Sequence, residues 1–334
     1  MTESGAIIAK DFWGADHIVD VYIRNGALTE KFILPPFTLL DTRQGPWQER
    51  RRMWGLLGMQ SELGRPAHNM AIEAEHIGEQ YGRKSRDSVS IFDPVLCELM
   101  YKWFCTPGGT VLDPFAGGSV RGIVASKLGY RYNGVELRQE QVDANVIQGE
   151  SILKSTVPVA RWICGDSLQV QQLAPAEYDF IFTCPPYGDV EVYSDDPRDL
   201  STMPYVRFIA NYRLIIERSC SMLRNDRFAC MVVSNFRSSG EEYLHDFVGD
   251  TITAFRRCGL ELLNEAILIN SLGTLPIRAA RGFKRSRKLG RTHQTILVFC
   301  KGDAYAAAQQ CGEVDTGFQF SADQLADTEE DDAD

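Results

Sequence analysis

From residue 89 onward, apolar positions switch repeatedly between helical and strand spacing. Residues 91–104 are apolar at helical spacing and lead into Thr110–Asp113, a short apolar run that predicts a buried strand. A turn with two glycines follows, then a helix ending at Gly129, where a left-handed glycine cap is expected. Residues 132–136 read as a second strand and 138–150 as a helix, with Arg161–Cys164 and Tyr178–Thr183 as further strands. Residues 204–224 predict a long helix with Val206, Ile209, Leu214 and Ile215 on one side. A buried strand at 227–234 and a helix at 241–258 come next. The last two strands, 260–270 and 295–300, are separated by a basic segment. Strands alternating with helices predict an α/β fold, a mostly parallel sheet with helices on both faces. Without a crossover helix between them, the last two strands are expected to pair antiparallel at the sheet edge.

Residues 1–88 lack this regularity. They contain Pro35-Pro36, Gly45-Pro46, the stretch WQERRRMW at 47–54 and a polar run over 80–90. The chain therefore divides into an N-terminal extension (1–88), an α/β domain (89–302) and a C-terminal segment (303–334) whose acidic end reads as solvated and disordered. With 334 residues, 44% of them hydrophobic, a sizeable core is available. No apolar run approaches the roughly 18 residues of a membrane span, and without a basic-then-apolar opening stretch secretion is not expected. Nine scattered cysteines without a CxxC pair argue against a disulfide scaffold or zinc ribbon, and fit a reducing cytoplasm. The five dispersed histidines suggest no metal site.

The net charge of −10 on its face argues against a nucleic-acid partner. Its distribution reverses that reading. Residues 321–334 hold seven acids and no base, so residues 1–320 carry 35 basic against 38 acidic side chains, a net of −3. Residues 278–291 hold seven cations (Arg278, Arg281, Lys284, Arg285, Arg287, Lys288 and Arg291) and no acid. Such a cluster can neutralise several phosphates with little sequence content.

Three motifs carry chemistry. In Asp113-Pro114-Phe115-Ala116-Gly117-Gly118-Ser119 a strand runs through small residues into a helix, which lets a ligand approach backbone N–H groups. About 20 residues on, Glu136 closes the second strand, where an acid accepts the hydroxyls of a ribose. Neither GxGxxG nor a phosphate-binding GKS/T is present, which demotes NAD and ATP. At the end of the fourth strand, Thr183-Cys184-Pro185-Pro186-Tyr187 combines two prolines, which remove donors and stiffen the loop, with an aromatic platform for a planar base.

Together DPFAGGS, GVEL, CGDS and TCPPY resemble the S-adenosylmethionine-dependent amino-methyltransferases of DNA, the N6-adenine/N4-cytosine family, and most of all its phage-borne modification methylases. The resemblance covers about residues 89–302, with a weaker continuation upstream at Leu39–Gly45. It implies a class I methyltransferase fold, a seven-stranded mostly parallel sheet whose last strand is antiparallel. It also implies S-adenosyl-L-methionine as cofactor and DNA as substrate, in a bacterial or phage-infected cell. The resemblance assigns Asp113, Phe115, Ala116, Gly117, Gly118 and Ser119 to the methionine and ribose, Glu136 to the ribose hydroxyls and Asp166 to the adenine. Asp93, in Ser90-Ile91-Phe92-Asp93-Pro94, falls in the motif that cradles the methionine carboxylate, and Tyr187 stacks on a flipped base. The seven cations become a DNA clamp, and the acidic loop 189–199 a mobile lid. The extension 1–88 either docks on the domain or contacts DNA; within it Thr42–Gly45 with Trp47–Arg52 is left open between binding the cofactor end or DNA and forming a helix that docks through Trp47 and Trp54.

The family places Asp, Asn or Ser before Pro-Pro-Tyr, and this chain has Cys184 there. A neutral thiol is a weak acceptor, so the loop carbonyls are left to orient the amine. The target base, cytosine or adenine, stays open, as does the choice of monomer or homodimer. Two rivals remain: an RNA guanine-N2 methyltransferase, and a DNA-binding relative with weak catalysis.

Overall fold

The computed structural model describes residues 6–10, 16–20, 31–59, 92–154, 158–270, 272 and 275–317. The acidic tail, the polar run over 80–90 and the start of the α/β pattern at residues 89–91 lie outside the described residues. Two compact units emerge, one of Met1–Phe37 with Glu313–Asp334 and one of Thr38–Gly312. In the first, β1 (Ala6–Lys10) pairs antiparallel with β2 (Asp16–Asp20).

The second unit runs β3 (Leu39–Asp41), α1 (Gly45–Gly55), α2 (Pro94–Phe104), β4 (Thr110–Asp113), α3 (Val120–Lys127), β5 (Arg131–Glu136), α4 (Gln139–Leu153) and β6 (Arg161–Cys164). A short α5 (Val170–Leu173), β7 (Tyr178–Thr183), α6 (Tyr205–Met222), β8 (Leu223–Val233), α7 (Phe247–Arg257), β9 (Leu260–Ile269), α8 (Leu275–Ser286), β10 (His293–Lys301) and α9 (Ala304–Cys311) complete it. The sheet order is β3-β9-β10-β8-β7-β4-β5-β6. β10 is antiparallel to both β8 and β9, and every other neighbouring pair is parallel. Strands β4 to β10 thus form the expected mostly parallel sheet with one reversed strand, β10, seated between β8 and β9.

The sheet has eight strands, not the expected seven. β3 pairs parallel with β9 through Leu40↔Leu268, so the β9–β10 pair is not at the edge. Three residues are too few to show strand alternation in sequence. The basic segment is also not a plain connection, because residues 275–286 form α8. Leu275, Ala279 and Phe283 recur at helical spacing, and Gly290 packs against Leu275 and Ala279 where a Cβ would collide. The cations between these apolar positions hid that stripe.

On α6 the inward face is Phe208, Ile209, Tyr212, Ile215, Ile216 and Cys220. Val206, expected on that side, is 80% exposed; two residues before Phe208, it points roughly 200° away around the helix. α7 begins at Phe247 rather than 241, because Asp246 caps it and residues 236–245 close a small bridge, Phe236↔His245.

The boundary expected at residue 88 is crossed by packing. Arg50 donates Nε to Glu98 Oε2 at 2.8 Å and Nη2 to Oε1 at 2.7 Å, while Trp54 Nε1 donates to Oε2 at 2.7 Å. Trp47, Arg50 and Trp54 are buried, so α1 is fastened to α2. At the other end α9 buries Ala307 and Cys311, which extends the unit past 302 to Gly312. The nine cysteines are free. No helix among the described residues is long and apolar enough to cross a membrane.

Candidate active site

A cavity of about 500 Å³ opens along the carboxyl ends of the parallel strands, where open α/β sheets bind ligands. Its floor is the glycine turn after β4. Gly117 there adopts φ +50°, a left-handed conformation that favours glycine. Phe115, Gly117 and Gly118 line the cavity. Asp113 does not: it is fully buried beneath the turn. Its Oδ2 accepts from Arg121 Nε at 2.6 Å and Tyr132 OH at 2.7 Å, and its Oδ1 from Phe115 N at 3.2 Å and from Thr183 Oγ1. Arg121 also donates to the carbonyls of Phe115 and Ala116 at 2.7 and 2.9 Å. Burial opposes the Arg121 charge, but Asp113 outweighs it and holds the guanidinium protonated. Ala116 and Ser119 are buried too; Ala116 N donates to Val135 O and Ser119 Oγ to Gln148. Asp113, Ala116 and Ser119 therefore shape the turn from below.

Glu136 lines the cavity at the end of β5. Its Oε2 accepts from Gly117 N and its Oε1 from Arg138 N, both at 3.0 Å. Burial raises its pKa, opposed by these two N–H groups and the Arg138 charge. Asp166 lines the cavity after β6 and caps the next turn through Leu168 N at 2.9 Å. Asp93 lines it from the N-terminus of α2, accepting from Val95 N at 2.8 Å and from Trp47 Nε1 at 3.0 Å.

Opposite these acids, Cys184, Pro185, Pro186 and Tyr187 line the cavity at the end of β7. Tyr187 packs on Phe236, ring centroids 6.5 Å apart, and edge-on to Phe247 at 6.3 Å. Its hydroxyl accepts from Gln294 Nε2 at 2.6 Å and donates to Val232 O at 3.4 Å. Burial pushes the Cys184 thiol up, so it stays neutral, and it sits 3.5 Å from the Tyr187 hydroxyl.

The acidic loop over 189–199 lies on the cavity wall as a knotted set of local contacts. Asp199 is buried and accepts from Ser201 N and Ser194 Oγ. Asp196 is paired with Arg198 at 2.6 Å, Glu191 accepts from Tyr193 OH at 2.6 Å, and Arg138 donates to Tyr193 O at 3.2 Å. Most of its acidity is thus directed inward or neutralised.

Among the described side chains, the basic residues of 281–291 do not line the cavity. Arg281, Lys284, Arg285, Arg287 and Arg291 are exposed; Arg278 lies within α8. Lys288 is tied to Glu242 at 3.0 Å. For Arg291, partial desolvation and the neighbouring Arg237 lower the pKa, and Tyr187 opposes them. Sequence reasoning missed Arg121, Arg138 and Gln294 as cavity residues; Arg51 it placed only within a stretch left open between the cofactor end, DNA and docking on the domain. Gln294 had no sequence signal, because only the insertion of β10 into the sheet brings it to Tyr187.

The sequence matches no protein-family model and no curated protein. Among solved structures, it is similar to TrmN from Thermus thermophilus (15% identity, TM-score 0.42, 63% of this chain and 49% of that one). It is similar also to a methyltransferase from Pyrococcus furiosus (12%, 0.42, 70% and 96%). A third is magnesium protoporphyrin IX methyltransferase from Synechocystis, solved with bound SAM (13%, 0.40, 70% and 85%). The chain spans about half the length of the TrmN it matches.

Proposed function

We propose that this protein is an S-adenosylmethionine-dependent DNA amino-methyltransferase, which methylates the exocyclic nitrogen of a flipped cytosine (N4) or adenine (N6). The observation that carries the reading is one shared cavity. Glu136 and Asp166, the nucleoside-binding acids of the motif pattern, face it from one side, and the Pro-Pro-Tyr loop faces it from the other.

The residues fit this cofactor. Glu136 is preorganised by two backbone N–H groups to accept ribose hydroxyls, and Asp166 stands one strand further along for the adenine. When bound, the cofactor supplies an electrophilic methyl group on a sulfonium. Asp113 and Arg121 keep the glycine turn in shape beneath it. Pro185 and Pro186 lack N–H groups and stiffen the loop, and the carbonyl of Cys184 or Pro185 orients the target amine by accepting a hydrogen bond from it. Tyr187, its hydroxyl pinned by Gln294, is a fixed wall for the planar base. The neutral Cys184 takes no part as a nucleophile. Transfer to nitrogen then needs an in-line approach and a dry site rather than a covalent enzyme intermediate. The exposed cations of α8 and its following loop hold the phosphate backbone beside the mouth.

Incubating the full chain with radiolabelled S-adenosylmethionine and either plasmid DNA or transcribed RNA, followed by nucleoside analysis, tests this. Label in N4-methylcytosine or N6-methyladenine supports the proposal. Label confined to RNA, or none in either, defeats it.

A further inference from the structure

Four arginines line the cavity: Arg51, Arg121, Arg138 and Arg198. Arg121 is spent on Asp113 and the turn carbonyls. Arg138 is spent on Tyr193 O and Gln141, and Arg198 on both oxygens of Asp196. Arg51 differs. Its side chain is 42% exposed, and its charged partner among the described residues is Asp93, at 3.8 Å. That is beyond hydrogen-bond distance, and Asp93 already accepts from Trp47 and Val95.

The position of Arg51 follows from the order of the strands. A nucleoside with its base at Asp166, after β6, and its ribose at Glu136, on β5, directs its 5′ substituent past β4 toward β7. Phe92 lies on that path, 4.5 Å beneath the Arg121 guanidinium and 5.7 Å from the Phe182 ring of β7. The next residue, Asp93, stands there with Arg51 beside it. This wall carries a cation and an anion next to each other, the complement of an α-amino-acid zwitterion.

We infer that Arg51, delivered by the N-terminal helix α1, binds the α-carboxylate of the cofactor's amino-acid end. The inference rests on the cofactor reading above and adds to it that the cavity is incomplete without α1. Asp93, held by Trp47 and its own helix, keeps Arg51 at the wall and faces the ammonium group.

Calorimetric titration of the full chain without DNA tests this, using S-adenosylmethionine and 5′-methylthioadenosine, which has the nucleoside and thioether but no amino-acid group. Arg51→Gln should weaken S-adenosylmethionine about tenfold or more, the loss expected for a charge-assisted carboxylate contact. It should leave 5′-methylthioadenosine within about twofold, and Arg51→Lys should fall between Arg51→Gln and the native protein. Unchanged S-adenosylmethionine affinity overturns the inference, and so does an equal loss for both ligands, which marks a structural role. If the native protein binds neither ligand, the cofactor reading itself fails and the assignment fails with it.

Discussion

At Glu136 two backbone N–H groups hold the carboxylate while burial raises its pKa. In the proposed role only the ionised form accepts both ribose hydroxyls, so cofactor affinity should fall as pH drops through a value above that of an exposed glutamate. Glu136→Gln should weaken the cofactor about tenfold and flatten this pH dependence, measured by titration calorimetry across the acidic range. Tyr187 separates binding from turnover. Tyr187→Ala should lower kcat at least about 100-fold by removing the wall that fixes the base, while cofactor affinity stays within about threefold. A parallel loss of both would show that the ring supports the whole pocket instead. Both residues were legible in sequence because each falls in a recognisable motif, Glu136 at the end of β5 and Tyr187 in the loop after β7. Arg121 was not: its role comes from reaching back from α3 to Asp113, a contact that spacing alone does not specify.

Among the elements, α1 depends on one buried carboxylate. Burial pushes the Glu98 carboxyl up, but Arg50 and Lys102 more than reverse this, and its pKa is lowered. A lowered carboxylate pKa contributes stability above the unfolded value and loses it as pH falls through the folded one. Acid should therefore loosen α1 from α2. Glu98→Gln leaves Arg50, 4% exposed, without its counter-charge, and should cost about 3–5 kcal/mol in denaturant unfolding. Replacing both partners, Arg50→Met with Glu98→Leu, should recover most of that loss; if it does not, the ion pair is not the reason. The tryptophans at 47 and 54 and the arginines between them were visible in sequence, but whether they met DNA or protein was not. Their partner, Glu98, is 48 residues from Arg50 in the chain. α8 was hidden for a related reason: an amphipathic helix rich in cations reads as a solvated loop until its apolar side is seen packed.

Over the whole molecule, charge is separated by position. The net −10 coexists with exposed cations on α8 and its following loop, which leads into Gln294 on the cavity wall. Charge reversal at Lys284 and Arg285 should weaken DNA binding and reduce the slope of log affinity against log salt by about one for each lost phosphate contact. Fluorescence anisotropy at several salt concentrations measures both, and a loss independent of salt would count against a phosphate clamp. Cofactor affinity should not change, because these side chains lie outside the cavity.

The sequence by itself determined the alternation of strands and helices, the glycine turn, the acids that end β5 and follow β6, and the Pro-Pro-Tyr loop. These are local properties: side-chain period, backbone freedom and stiffness act over a few residues. Tertiary structure alone decided that Asp113 supports the turn rather than lining the cavity, and that a three-residue strand extends the sheet to eight. It also decided that Gln294 fixes Tyr187 and that Arg51 reaches the cavity from the N-terminal helix. Each of these joins residues distant in the chain, and such contacts are selected by packing and charge pairing in three dimensions, on which sequence spacing leaves no mark.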